Sequence, residues 1–278
     1  MVGRASFQSL ERRILYLDCE PRGYSKAMDF LYLALLLAAL LALIYLIRSM
    51  RALHKKVGKQ TERLAAGIQK LTEQNRNSSI NDYRQLEAFV QLNSLINFTA
   101  PLPATRGWAG SPDLLLTLAH VVRTSKPKLV VELGSGVSTV VMAKAGAKKV
   151  ISFDGSDEYA GHTRNLLKAH GIKSAEVRYS KLAPFKNSSG WYDPKSFKDL
   201  KKIDLLVIDG PPGGDDVNGR YPALEVLLSK LSSNAIVILD DAKRIGERKL
   251  SEDFAAALPK HSLTFLDHEK GTAIIRPN

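Results

Sequence analysis

From Ser111 to the C-terminus the chain alternates short apolar, β-rich runs with helical stretches, and this alternation limits the possible folds most. The runs are LVVEL (129–133), KVISFD (149–154), AEVRYS (175–180), IDLLVID (203–209), AIVILDD (235–241), SLTFLD (262–267) and TAIIR (272–276). Helices are expected between them. The first is capped by Ser111, with Pro112 in its first turn, and runs to about Val122; others start near Ser138, cover 157–170, follow Tyr221 and cover 247–257. Strands that alternate with helices form a parallel sheet covered on both faces, so each strand reads as a continuous apolar run. Only His268 to Gly271 separates the last two runs, too few residues for a crossover. They form a hairpin, and the last strand runs antiparallel. The expected class is α/β, with five parallel strands and a terminal hairpin making seven.

Upstream lies a segment of another kind. FLYLALLLAALLALIYLI, Phe30 to Ile47, holds no charge, glycine or proline. At about 1.5 Å per residue a helix of that length spans roughly the hydrocarbon core of a bilayer. Tyr24, Tyr32 and Tyr45 lie near its ends, where aromatic rings favour the interface. The run meets Arg48, Arg51, Lys55 and Lys56 with no small-residue cleavage pattern, which separates it from a signal peptide. The chain's formal charge of +12 is densest here, with 12 Lys/Arg against 6 Asp/Glu in residues 1–75. Six basic residues downstream (Arg48, Arg51, Lys55, Lys56, Lys59, Arg63) outweigh Arg12, Arg13, Arg22 and Lys26 upstream, so the C-terminal side is expected in the cytoplasm. The single cysteine, Cys19, excludes an internal disulfide framework and a cysteine metal cluster.

Leu53, Val57, Gln60, Leu64, Gly67 and Leu71 follow 4-3 spacing, a seam shorter than three heptads. Two readings stay open for it: a homodimer through residues 50–72, or a solvated spacer with its basic face on anionic lipid. QNRNSS (74–79) is the expected break before the next helix, and PLP (101–103) closes that helix. The expected organisation is a tail (1–27), a transmembrane helix (28–47), a juxtamembrane helical stalk (48–98) and a globular domain (99–278).

ELGSGVST follows the first strand with a G-x-G turn but lacks the third glycine of a dinucleotide fingerprint. Some twenty residues on, the second strand ends in Asp154, where an acid can hold a ribose diol. Backbone N–H groups and the hydroxyls of Ser135, Ser138 and Thr139 suit a zwitterionic amino-acid tail on a nucleoside better than a pyrophosphate. VVELGSGVST, the FD that ends the second strand, and seven strands with an end hairpin resemble the class I S-adenosylmethionine-dependent methyltransferases. The resemblance covers about residues 100–278 and implies a Rossmann-like methyltransferase sheet with S-adenosyl-L-methionine as cofactor. It implies that Glu132, Gly134, Ser135, Gly136 and Ser138 surround the methionine moiety and that Asp154 bonds the ribose. The family often has an acid after the third strand for the adenine amine. This chain reads YSKLAP there, leaving the Leu182 backbone for that contact.

Asp209 ends the fourth strand, and Asp240 and Asp241 end the fifth. Ligands of open α/β sheets bind outside those ends. Three acids in one cleft need positive charge between them, and an oxygen-rich set suits Mg²⁺ or Ca²⁺. An acid followed by an acidic pair, with Arg220-Tyr221 between, resembles the metal-dependent O-methyltransferases, and D-G-P-P with L-D-D-A-x-R resembles a bacterial group among them. Two departures stand out: Asp-Asp replaces the usual Asp-Asn, and no lysine follows Asp209 in its loop. The general base is therefore Asp209 itself or Lys243 reaching back from the next loop. As alternatives to a metal site, Asp240 caps the next helix and Asp241 lies in a solvated turn. The six histidines show no ligand spacing. Trp108 is expected in the core, and the loop Phe185 to Asp199 is expected over substrate.

These features imply a membrane-anchored methyltransferase acting on oxygen of a small-molecule or lipid-linked acceptor, with no nucleic-acid partner. Two alternatives stay open: a non-catalytic membrane scaffold of the same fold, and a nucleotide-dependent oxidoreductase.

Overall fold

The computed structural model describes residues 26–214 and 216–278. Arg12, Arg13, Cys19, Arg22, Tyr24 and most of the expected tail lie outside the described residues. The chain divides into two compact units at Gln74/Asn75. That boundary falls inside one helix, α1 (Lys26–Leu95), so QNRNSS is helical and does not break the chain as expected. Nothing in that stretch forces an end: α1 holds no proline, and its two glycines, Gly58 and Gly67, each cost only about 1 kcal/mol. Its apolar segment is long enough to cross a membrane, and none of that window is buried.

In the unit 75–278, strands β1 (Val130–Leu133), β2 (Val150–Asp154), β3 (Ala175–Tyr179), β6 (Ile203–Ile208), β7 (Leu231–Asp240), β8 (His261–Leu266) and β9 (Thr272–Pro277) form one sheet of order β3-β2-β1-β6-β7-β9-β8. β9 lies antiparallel between β7 and β8, as the short final connection requires. Helices α2 (Pro112–Ser125), α3 (Val137–Lys144), α4 (Asp157–Ala169), α5 (Pro222–Leu227) and α6 (Ile245–Ala257) connect and cover it. Strand order reverses between β1 and β6, which opens a crevice at their carboxyl ends.

The end of α1 closes one face. Leu92 and Ile96 are buried with Leu115, Ala119, Val137 and Val141. Gln85 donates to the Asp113 carboxylate at 2.7 Å, and the Ser111 hydroxyl and the Glu269 N–H donate to the same carboxylate. Asp113 is therefore a tie between α1, α2 and the β8–β9 turn, more than a first-turn charge.

β4 (Leu182–Phe185) and β5 (Ser188–Tyr192) form a separate hairpin. The stretch expected over substrate instead sends Trp191, Tyr192 and Phe197 into the main core with Phe153. Trp108 shows the reverse outcome. It is 89% exposed in the turn before α2, where Arg106 and Gly107 take positive φ and point the segment outward.

Candidate functional site

Two loops meet back to back at the crevice. Gly134, with φ +92°, ends β1; a side chain there would meet the Asp209 carbonyl group and the Gly210 nitrogen within 3.3 Å. A Cβ on Gly210 would lie 2.9 Å from the Gly134 Cα and 2.5 Å from the Tyr192 hydroxyl. Only two glycines let these backbones approach so closely. The contact joins the glycine loop to the acidic loop.

On the glycine side, Asp154 is buried at the end of β2. Its Oδ2 accepts from the Ser135 N–H (3.2 Å) and hydroxyl (2.6 Å), and its Oδ1 accepts from the Ser156 N–H. Leu182 lies directly over Gly155, where an added Cβ would fall 2.6 Å from the Leu182 Cγ. The residues expected at the ribose and the base are thus adjacent. Gly136 opens α3, and its N–H donates to the Thr139 hydroxyl at 3.1 Å, with Ser138 buried beside it. Glu132 is fully buried; its Oε2 accepts from the Thr139 (2.5 Å) and Ser152 (2.7 Å) hydroxyls, and its Oε1 has no partner. Burial pushes its carboxyl up to about 7 against these hydroxyl donors.

On the acidic side, one carboxylate oxygen from each of Asp209, Asp240 and Asp241 lies within 4.8 Å of the others. Asp240 and Asp241 are buried, so neither a helix cap nor a solvated turn describes them; α6 is capped at Arg244. Asp241 takes φ +60°, a left-handed conformation that Asp tolerates better than most residues. The buried positive charge among these acids is Arg220, only 4% exposed. Its guanidinium donates to the carbonyls of Asp209 (2.8 Å), Pro211 (3.2 Å) and Asp240 (3.3 Å) and to the Asp241 carboxylate (2.9 Å). Asp209 and Glu247 stand 3.6 and 3.7 Å away as further counter-charges. Burial raises Asp209 above the ordinary carboxylate range, and the Asp240 charge adds to the shift. Burial and the Asp241 charge raise Asp240 likewise.

Lys243 does not reach back toward Asp209. Its ammonium donates to the His268 carbonyl at 2.8 Å and pairs with Asp267 at 3.0 Å, on the β8–β9 turn. The lysine facing the acids is Lys270, 3.8 Å from Asp240 Oδ2. Both Asp240 carboxylate oxygens are buried without a hydrogen-bond partner. Arg220 and Arg244 engage Asp241, so Asp209 and Asp240 remain as the oxygens that could hold a hard cation.

A family model described as a methyltransferase domain matches residues 131–242, from β1 to the residue after Asp241. No curated protein sequence matches the chain. Among solved structures, a putative O-methyltransferase from Klebsiella pneumoniae aligns at 18% identity and a TM-score of 0.50, over 72% of this chain and 96% of that one. An O-methyltransferase from Bacillus cereus in complex with SAH aligns at 19% identity and a TM-score of 0.49, over 72% and 97%. The Klebsiella alignment and the strand order agree on the fold: a seven-stranded α/β methyltransferase sheet with one antiparallel strand.

Proposed function

We propose that this chain is a membrane-anchored, S-adenosylmethionine-dependent methyltransferase that transfers to oxygen. The backbone contact of Gly134 with Gly210 carries the reading, because it supports a single crevice between the loop that bonds Asp154 and the loop that carries Asp209. The match to a methyltransferase domain over 131–242 supports it. When bound, S-adenosyl-L-methionine supplies an electrophilic methyl group on a sulfonium.

The residues divide the remaining work. Asp154 holds the ribose hydroxyls in place of the Ser135 hydroxyl it now accepts. The Gly134 to Gly136 backbone, Ser135 and Ser138 hold the amino-acid tail, with Glu132 beneath them, and Leu182 lies against the base. Asp209 takes the proton of the acceptor hydroxyl. Asp209 and Asp240 would hold Mg²⁺ or Ca²⁺, which lowers the pKa of a coordinated hydroxyl. Asp241 belongs to Arg220 and supports the ligands. Lys243, tied to the β8–β9 turn, takes no part.

Residues 28–47 cross the bilayer, and the basic residues after them keep the catalytic unit in the cytoplasm. Tethering makes the acceptor a membrane-associated hydroxyl, on a lipid or a lipid-linked sugar. Incubating the full chain in membranes with methyl-labelled S-adenosylmethionine, then separating lipid from water-soluble products, tests this. Label in the lipid fraction, lost in Asp209→Asn, is expected. Label confined to water-soluble products would contradict the acceptor class.

A further inference from the structure

The stretch of α1 after the apolar segment carries two stripes. Met50, Leu53, Val57, Leu64, Ile68 and Leu71 are all more than half exposed. At about 100° per residue they fall within an arc of about 60°. Arg48, Arg51, Lys55 and Lys59 occupy the opposite side, and Lys56, Arg63 and Lys70 border the stripe. The flanking Thr61 and Thr72 hydroxyls are satisfied by the Val57 and Ile68 carbonyls of their own helix. The aliphatic stripe is narrow and exposed.

We propose that residues 50–71 pair, in parallel, with the same stripe of a second copy of this chain. The pairing rests on the reading of 28–47 as a membrane span and is independent of the methyl-transfer chemistry. α1 runs on past the span as one helix without a proline, so the stripe continues along the axis of the span. The spacing places Met50, Val57, Leu64 and Leu71 at one core position of the heptad, and Leu53, Gln60 and Gly67 at the other.

Charge selects the orientation. The residues beside the seam on one side are Lys56, Arg63 and Lys70, and on the other His54, Thr61, Ile68 and Asn75. In a parallel pair each side faces the other, so the cations meet uncharged residues. An antiparallel pair would set the basic side against itself. A span shared by every copy imposes the same parallel direction and holds equivalent residues at one height. Gln60 and Gly67 weaken the seam, so pairing depends on the concentration that tethering provides.

Single cysteines test the seam in the full chain, in native membranes and a Cys19→Ser background. Val57→Cys, Leu64→Cys and Leu71→Cys are expected to give disulfide-linked dimers at least about tenfold more readily than Lys55→Cys and Lys59→Cys on the opposite face. Adding Leu64→Asp is expected to abolish linkage through Leu71→Cys. Carbonate extraction of the same samples reports the anchor separately. A retained chain that links equally on both faces, or nowhere, would overturn the pairing alone. Release by carbonate would overturn the span and the pairing with it.

Discussion

Residue by residue, the chemistry at this site depends on how buried charges are compensated. Asp154 accepts on both oxygens from local donors, and in the proposed role it exchanges one of them for a ligand hydroxyl. Asp154→Ala should weaken S-adenosylmethionine binding by about 1.5–3 kcal/mol, the scale of hydrogen bonds to a charged group, as read by calorimetry. Arg220 offsets Asp241, Asp209 and Glu247 in a buried site, so Arg220→Met should cost about 3 kcal/mol or more in denaturant unfolding. Glu132 gives a pH signature. Its carboxyl titrates at about 7 when folded and near 4.5 when unfolded, so the folded chain binds the proton more tightly. The resulting stability is complete below about pH 4.5 and is lost as pH rises through about 7, roughly 3 kcal/mol in all. Glu132→Gln should flatten that slope when unfolding is followed from pH 5 to 8. The acids were legible in the sequence because each ends an apolar run. Arg220 was visible only as part of the Arg-Tyr pair and not as the counter-charge, because that role arises when its loop folds back over the ends of two strands, eleven residues after Asp209.

Among the elements, the long apolar strands were legible and the hairpin was not. β4 and β5 read LAPF and SSGWY, too short and too rich in proline, serine and glycine to stand out from a loop. Tertiary packing decides their role: Trp191 stacks with Phe197, and Tyr192 meets both rings edge-on in the core. Trp191→Ala should therefore destabilise the globular unit by about 3–5 kcal/mol in thermal or denaturant unfolding, where a loop tryptophan would cost little. QNRNSS was misleading for the opposite reason. Its polar composition looks like a break, yet exposed polar residues other than glycine and proline cost a helix little. The glycine loop was legible as a turn. Its contact with Gly210 was not, because it joins segments that are 76 residues apart in sequence.

For the whole molecule, one chain combines a candidate membrane span with an α/β methyltransferase fold. The apolar segment was visible by length and composition, and the seven-stranded order followed from alternation plus one short connection. The exposed Trp108 shows where such reasoning stops, since turn geometry alone decides whether an aromatic residue points in or out. The central claim is that the crevice binds S-adenosylmethionine beside an acidic pair that takes a divalent cation. The most direct test is calorimetric titration of the full chain in detergent with S-adenosylmethionine, with Mg²⁺ and with EDTA, for wild type and Asp154→Ala. The account predicts saturable cofactor binding lost in the variant, and Mg²⁺ binding lost in Asp240→Asn. A folded wild-type chain that takes up no S-adenosylmethionine would contradict the account and leave a membrane-tethered scaffold in its place.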